Sequence, residues 1–73
     1  MGLKASRLLG DRAIEANHLG SLGNAYADLG MLRSAISFYE DALAISKELD
    51  LGYVMGVTYG NLGDAYLELG EMS

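Results

Sequence analysis

The sequence predicts an all-α protein made of antiparallel helix-turn-helix repeats, and two observations lead to that prediction. The segment GSLGNAYADLG at residues 20–30 returns forty residues later as GNLGDAYLELG at residues 60–70, with seven of eleven positions identical. Apolar residues recur at spacings of three and four through most of the chain, which is the pattern of amphipathic helices. A repeat of this period is typical of a stacked array in which each unit packs on its neighbours.

The composition limits the classes of function. The chain of 73 residues is long enough for one small domain, and it contains no cysteine, which excludes disulfides and thiolate metal sites. Ten acidic residues against five basic ones give a net charge of −5, which repels phosphate backbones and anionic lipids. No apolar run approaches the roughly 18 residues of a membrane span. We therefore expect a cytoplasmic protein that binds neither nucleic acid nor membranes.

The helices are assigned from this periodicity and from turn residues, with A and B naming the two helices of a repeat. The chain should open with the tail of a B helix at 1–10, followed by a turn at Gly10 and Asp11. An A helix at 12–29, ended by Gly30, and a B helix at 32–49 come next. After a turn at 50–52, a second A helix covers 53–69 and is ended by Gly70. Residues 71–73 then start another B helix. The chain is thus predicted to be one fragment, in which residues 11–50 form a full repeat and residues 51–73 open the next.

Small and large packing residues alternate within the repeat, at Leu22-Gly23, Tyr26, Ala35, Tyr39 and Ala42. In this pattern the chain resembles the tetratricopeptide repeat, which implies a right-handed α-solenoid. The forty-residue period and the LGNAY run at residues 22–26 are similar to the longer-repeat subclass of the LGN/Pins cell-polarity adaptors and rapsyn. Physically, Gly23 and Gly63 should allow close approach of a B helix, with tyrosine rings filling the space between helices.

The resemblance also implies a function, because the A helices of that family line a concave groove that holds a partner peptide. Carried over by position, the groove residues are Asn17, Asn24, Ala27, Asp28, Asp64, Leu67 and Glu68. The lysines with which some relatives hold a terminal carboxylate are absent here. An acidic groove with apolar patches favours a basic or amphipathic peptide.

Catalytic and cofactor roles are weighed against simpler readings. His18 is the single histidine, and one ligand does not make a metal site. Asp64 and Glu68 lie one helical turn apart, but a solvated helix face explains this spacing with fewer assumptions than acid-base catalysis. The Gly20-x-x-Gly23 spacing lies within a helix and lacks the strand and lysine of a phosphate loop. We expect no enzyme activity, no metal and no cofactor.

Self-association is the alternative function. The second A helix lacks a following B helix, so Tyr59, Leu62 and Tyr66 should form an apolar stripe of a size that soluble monomers rarely expose. Either the segment 2–9 of the next copy covers it in head-to-tail stacking, or two second A helices cover each other in a two-fold dimer. The dimer is the favoured form, because open stacks rarely stay in solution.

Overall fold

Three helices make up the described part of the chain. The computed structural model describes residues 3–72, with side chains for residues 11–70. The helices are α1 (Leu3–Asp28), α2 (Leu32–Glu48) and α3 (Gly52–Met72), and no strand occurs within residues 3–72. The all-α, tetratricopeptide-like fold is therefore confirmed.

Contacts between the helices show their antiparallel order. Arg12 in the first half of α1 pairs with Glu48 at the end of α2, with 2.7 Å between nitrogen and oxygen. Between α2 and α3, the Tyr66 hydroxyl donates to a Glu40 carboxylate oxygen at 3.0 Å. Each helix thus runs opposite to the one before it, as expected for helices joined by short turns.

The two turns have the same backbone geometry and lie twenty residues apart. After α1, the Met31 amide donates to the Tyr26 carbonyl and the Gly30 amide to the Ala27 carbonyl. After α2, the Leu51 and Asp50 amides make the equivalent bonds to Ser46 and Lys47. These are Schellman motifs, which require a left-handed residue after the helix. Gly30 supplies it at φ 79°, and Asp50 supplies it at φ 56°.

Two predicted helix ends are wrong. The chain does not turn at Gly10 and Asp11, because α1 runs without interruption from Leu3 to Asp28. Gly70 does not end its helix either, because α3 continues to Met72. A glycine permits a left-handed helix end but does not require one, so both glycines can remain within their helices.

The division of the chain into repeat units stays a prediction, since it rests partly on residues 1, 2 and 73, which lie outside the described residues.

The core is built on α2, which lies between the other two helices. The α2 helix packs against both α1 and α3, which make few direct contacts with each other. The buried apolar residues of the core cluster are Ala35, Ile36, Tyr39, Leu62 and Ala65. Two buried hydroxyls bond within their own helices, Ser46 to the Leu43 carbonyl and Thr58 to the Val54 carbonyl. Their polar groups are therefore satisfied without a partner from another helix.

The close approach predicted at the two glycines is observed at one of them. A Cβ atom placed on Gly23 would lie 2.5 Å from Cε1 of Tyr39, so only glycine fits beneath this ring. At Gly63 such a Cβ would have no atom within 4 Å apart from its chain neighbours and the nearby backbone of α3. The prediction is confirmed for Gly23. For Gly63 it stays a prediction, because no helix of the described residues packs on that side of α3.

Candidate functional site

An acidic cleft lies between α1 and α3, with α2 as its floor. It has a volume of about 390 Å³ and is lined by Asn24, Ala27, Asp28, Tyr39, Asn61, Asp64, Ala65 and Glu68. The three carboxylates come from two helices that are separate in sequence, and all three side chains are exposed. The fold thus collects negative charge on one concave surface.

Tyr39 connects the packing core to this acidic cleft. Its ring is buried against Gly23, while its hydroxyl reaches the cleft wall and donates to Oδ1 of Asn24. Burial raises the pKa of the Tyr39 hydroxyl, and the negative charges of Asp28, Asp64 and Glu68 raise that pKa further. All three carboxylates therefore act on the same point, and the hydroxyl stays neutral at physiological pH.

A second, smaller cleft of about 180 Å³ adjoins the acidic one and shares Asn24 and Asn61 with it. Its wall includes Asn17 from α1 and Tyr53, Val57 and Thr58 from α3. No Asp, Glu, Lys or Arg lines this part. The two clefts together give a surface that is acidic at one end and mixed polar and apolar at the other.

The structure brings most of the predicted groove residues together. Five of them line the acidic cleft: Asn24, Ala27, Asp28, Asp64 and Glu68. Asn17 lines the adjoining cleft, while Leu67 lines neither and is 64% exposed. That these residues bind a peptide stays a prediction.

Two polar residues of the acidic cleft, Tyr39 and Asn61, were not predicted from the sequence. Tyr39 was assigned to packing alone, although a buried tyrosine needs a partner for its hydroxyl and so tends to reach a polar surface. Asn61 lines both clefts. It is the equivalent of Ser21 in the forty-residue repeat, and its position next to Gly60 on the A helix could have identified it.

The predicted self-association residues do not lie on one exposed stripe. Leu62 is buried in the core cluster against α2, so its predicted exposure is wrong. Tyr59 and Tyr66 are each about half exposed, at 51% and 52%. Each ring also contacts α2. Hydrogen bonding to Glu40 raises the pKa of the Tyr66 hydroxyl. The ammonium of Lys47 lies 5.8 Å from the centroid of the Tyr59 ring.

Among the described residues, no group of three or more His, Asp or Glu side chains could hold a metal ion. His18 lies exposed on α1. Within residues 3–72, no helix is long and apolar enough to cross a bilayer.

Comparison with known proteins supports the repeat. Residues 19–51, which run from the middle of α1 to the turn after α2, match the family model of the tetratricopeptide repeat. No curated protein and no solved structure matches the chain. The matched segment contains one helix-turn-helix unit, and tetratricopeptide repeats generally mediate protein-protein interactions and are not enzymes. The LGN/Pins and rapsyn subclass stays a prediction.

Proposed function

We propose that this chain is a protein-interaction module that binds a basic or amphipathic peptide segment in the acidic cleft. The observation that supports this most directly is the convergence of Asp28, Asp64 and Glu68 on one concave surface around the Tyr39 hydroxyl. Complementary charge steers association and selects the partner. A cytoplasmic location belongs to the same proposal.

The adjoining cleft accounts for the amphipathic part of the proposal. Val57 and Tyr53 expose apolar surface there, at 47% and 86%, and the asparagine amides can donate to and accept from a peptide backbone. A lysine or arginine of the ligand lies in the acidic part, and an apolar side chain follows in the adjoining part. The net charge of −5 opposes nucleic acid as the ligand.

Fluorescence anisotropy with labelled lysine- and arginine-containing peptides tests this proposal, each peptide paired with an isostere that carries norleucine and citrulline. Asp64→Asn should weaken binding about two- to fivefold, the effect of losing one exposed ion pair. Raising the salt concentration from about 50 to about 200 mM should weaken it further.

Asp41→Asn is the matched control, since it changes the net charge equally but lies exposed on α2 outside the cleft. It should leave affinity unchanged. Equal binding of the peptide and its uncharged isostere, or equal effects of the two substitutions, would contradict a specific acidic site.

Self-association is the second candidate function, favoured by the outward surface of α3 with its half-exposed Tyr59 and Tyr66. A two-fold dimer would cover both rings. Light scattering over a hundredfold range of concentration tests this, and a constant mass of 7.8 kDa would exclude it.

A further inference from the structure

The acidic cleft and the adjoining cleft form one continuous surface between α1 and α3. They share Asn24 and Asn61. On each of these helices, the residues that line the adjoining cleft lie about two turns before those that line the acidic cleft. Two turns of helix extend about 11 Å. The centres of the two clefts are therefore separated by about this distance along the helix axes.

The two clefts differ in the side chain that each one can hold. The acidic cleft presents the carboxylates of Asp28, Asp64 and Glu68, which attract a guanidinium or an ammonium group. The adjoining cleft presents the exposed apolar surface of Tyr53 and Val57. A large aliphatic or aromatic side chain of a ligand would remove this surface from water. One ligand that fills both clefts thus needs two different side chains at a fixed separation.

The polar group between the clefts favours an extended ligand. The carboxamide of Asn61 makes no hydrogen bond to the residues that the structure describes. It can therefore both donate to and accept from a peptide unit of a ligand. A helix pairs its backbone groups internally, whereas an extended chain presents them to its surroundings. Asn61 is thus suited to hold the backbone of an extended segment between its two side chains.

The spacing of the two side chains follows from the geometry of an extended chain. Side chains alternate between two faces, so only every second residue points into the clefts. Two residues extend about 7 Å and four residues about 13 Å, and the second length is closer to the separation of the cleft centres. A helical ligand would need about seven residues for the same distance. Four residues is therefore the even spacing that fits best.

We infer that the ligand is an extended segment of a partner protein that fills both clefts and carries a basic and a large apolar side chain four residues apart. The segment lies along α1 and α3, with its basic side chain among the carboxylates and its apolar side chain against Tyr53 and Val57. Charge complementarity fixes the first contact, and the spacing then fixes the second. This inference rests on the proposed function and adds to it the conformation of the ligand and the spacing of its two anchoring side chains.

A series of labelled peptides with blocked ends tests the spacing by fluorescence anisotropy with the full chain. Each peptide carries one arginine and one phenylalanine in a serine-threonine background, separated by two to eight residues and in both orders. A peptide without phenylalanine gives the contribution of the basic side chain alone. Affinity should be highest at a spacing of four, about tenfold above that at shorter or longer spacings, because only then are both clefts filled. A parallel series in an alanine background, which favours helix, should show no maximum at seven.

Substitutions in the adjoining cleft show whether the apolar side chain lies there. Val57→Ser and Tyr53→Ser should each weaken binding of the spacing-four peptide about fivefold and leave the phenylalanine-free peptide unchanged. Ile14→Ser is the matched control. Ile14 is 53% exposed against 47% for Val57, but it lines neither cleft. This control should leave both affinities unchanged, and circular dichroism verifies that each variant is folded.

The outcomes separate this inference from the proposed function. Equal affinity at all spacings, with Asp64→Asn still weakening binding, would overturn the inference and leave the acidic cleft as a peptide site. A maximum at seven residues in the alanine series would assign the clefts to a helical ligand and would also overturn it. So would a maximum at four that neither Val57→Ser nor Tyr53→Ser reduces, because the apolar side chain would then lie elsewhere. Failure of every arginine peptide to bind would contradict the proposed function together with the inference.

Discussion

Alanine at two equivalent glycines should change stability in opposite directions. Gly23 and Gly63 occupy the same position of the forty-residue repeat, and both lie inside helices. At Gly23 a new methyl group would meet the buried Tyr39 ring at 2.5 Å, whereas at Gly63 it would meet no described atom within 4 Å. We therefore expect Gly23→Ala to lower the free energy of unfolding and Gly63→Ala to raise it.

The expected change in the free energy of unfolding is the sum of two contributions. Replacing glycine by alanine inside a helix contributes about 0.5–1 kcal/mol of stability at either position. Forcing a methyl group into a packed contact costs about 1–3 kcal/mol. The sum is a loss of up to about 2.5 kcal/mol for Gly23→Ala, against a gain of about 0.5–1 kcal/mol for Gly63→Ala.

Thermal unfolding followed by far-UV circular dichroism measures the difference. In a domain of this size, 1 kcal/mol corresponds to a shift in Tm of about 4–8 °C. Gly20→Ala reports helix propensity alone and should behave like Gly63→Ala. Shifts of equal sign and size at positions 23 and 63 would refute the packing that we describe between Gly23 and Tyr39.

The other predictions use the same unfolding measurements. Tyr39→Ala should cost about 3–5 kcal/mol of stability, because its ring is almost fully buried. Replacing the partly buried Tyr26 by alanine should cost less. Wild-type melting curves for both variants would contradict the burial of these rings in the core. Asp50→Gly should raise the free energy of unfolding by about 1 kcal/mol, since aspartate is strained at its positive φ. Gly30→Ala should lower that free energy, and urea unfolding measures both changes. The raised pKa of the Tyr39 hydroxyl means that the folded state resists losing this proton. Stability should therefore fall as the pH rises above about 10, where the unfolded chain ionises, and a Tyr39→Phe variant that falls equally steeply would disprove this origin.

The sequence was most informative where local chemistry decides the structure. The boundaries of α2 follow from the period of its apolar residues, and the end of α1 follows from Gly30, because glycine adopts positive φ without strain. The carboxylates of Asp28 and Glu68 were assigned to one surface from their positions in the repeat. Both occupy the same place on successive A helices, and the structure puts them in one cleft.

The sequence was least informative where the outcome depends on which helix faces which. Gly70 follows an acidic residue and a leucine as Gly30 does, yet α3 continues through it. The repeat pattern likewise marks Leu22 and Leu62 as equivalent, but only Leu62 is buried, because only α3 packs this face on α2. Such differences arise from the fold as a whole and leave no trace in the local pattern.

The central position of α2 has a consequence for the speed of folding. The extensive packing of this chain joins helices that are neighbours in sequence, and α1 and α3 meet directly at few points. Little loop entropy is lost before such contacts form, and helical proteins with local contacts fold within microseconds to milliseconds. The same arrangement lets either outer helix detach while the other pair stays together. Amide hydrogens of α2 should then exchange with solvent most slowly, and those of α1 and α3 should exchange through separate openings.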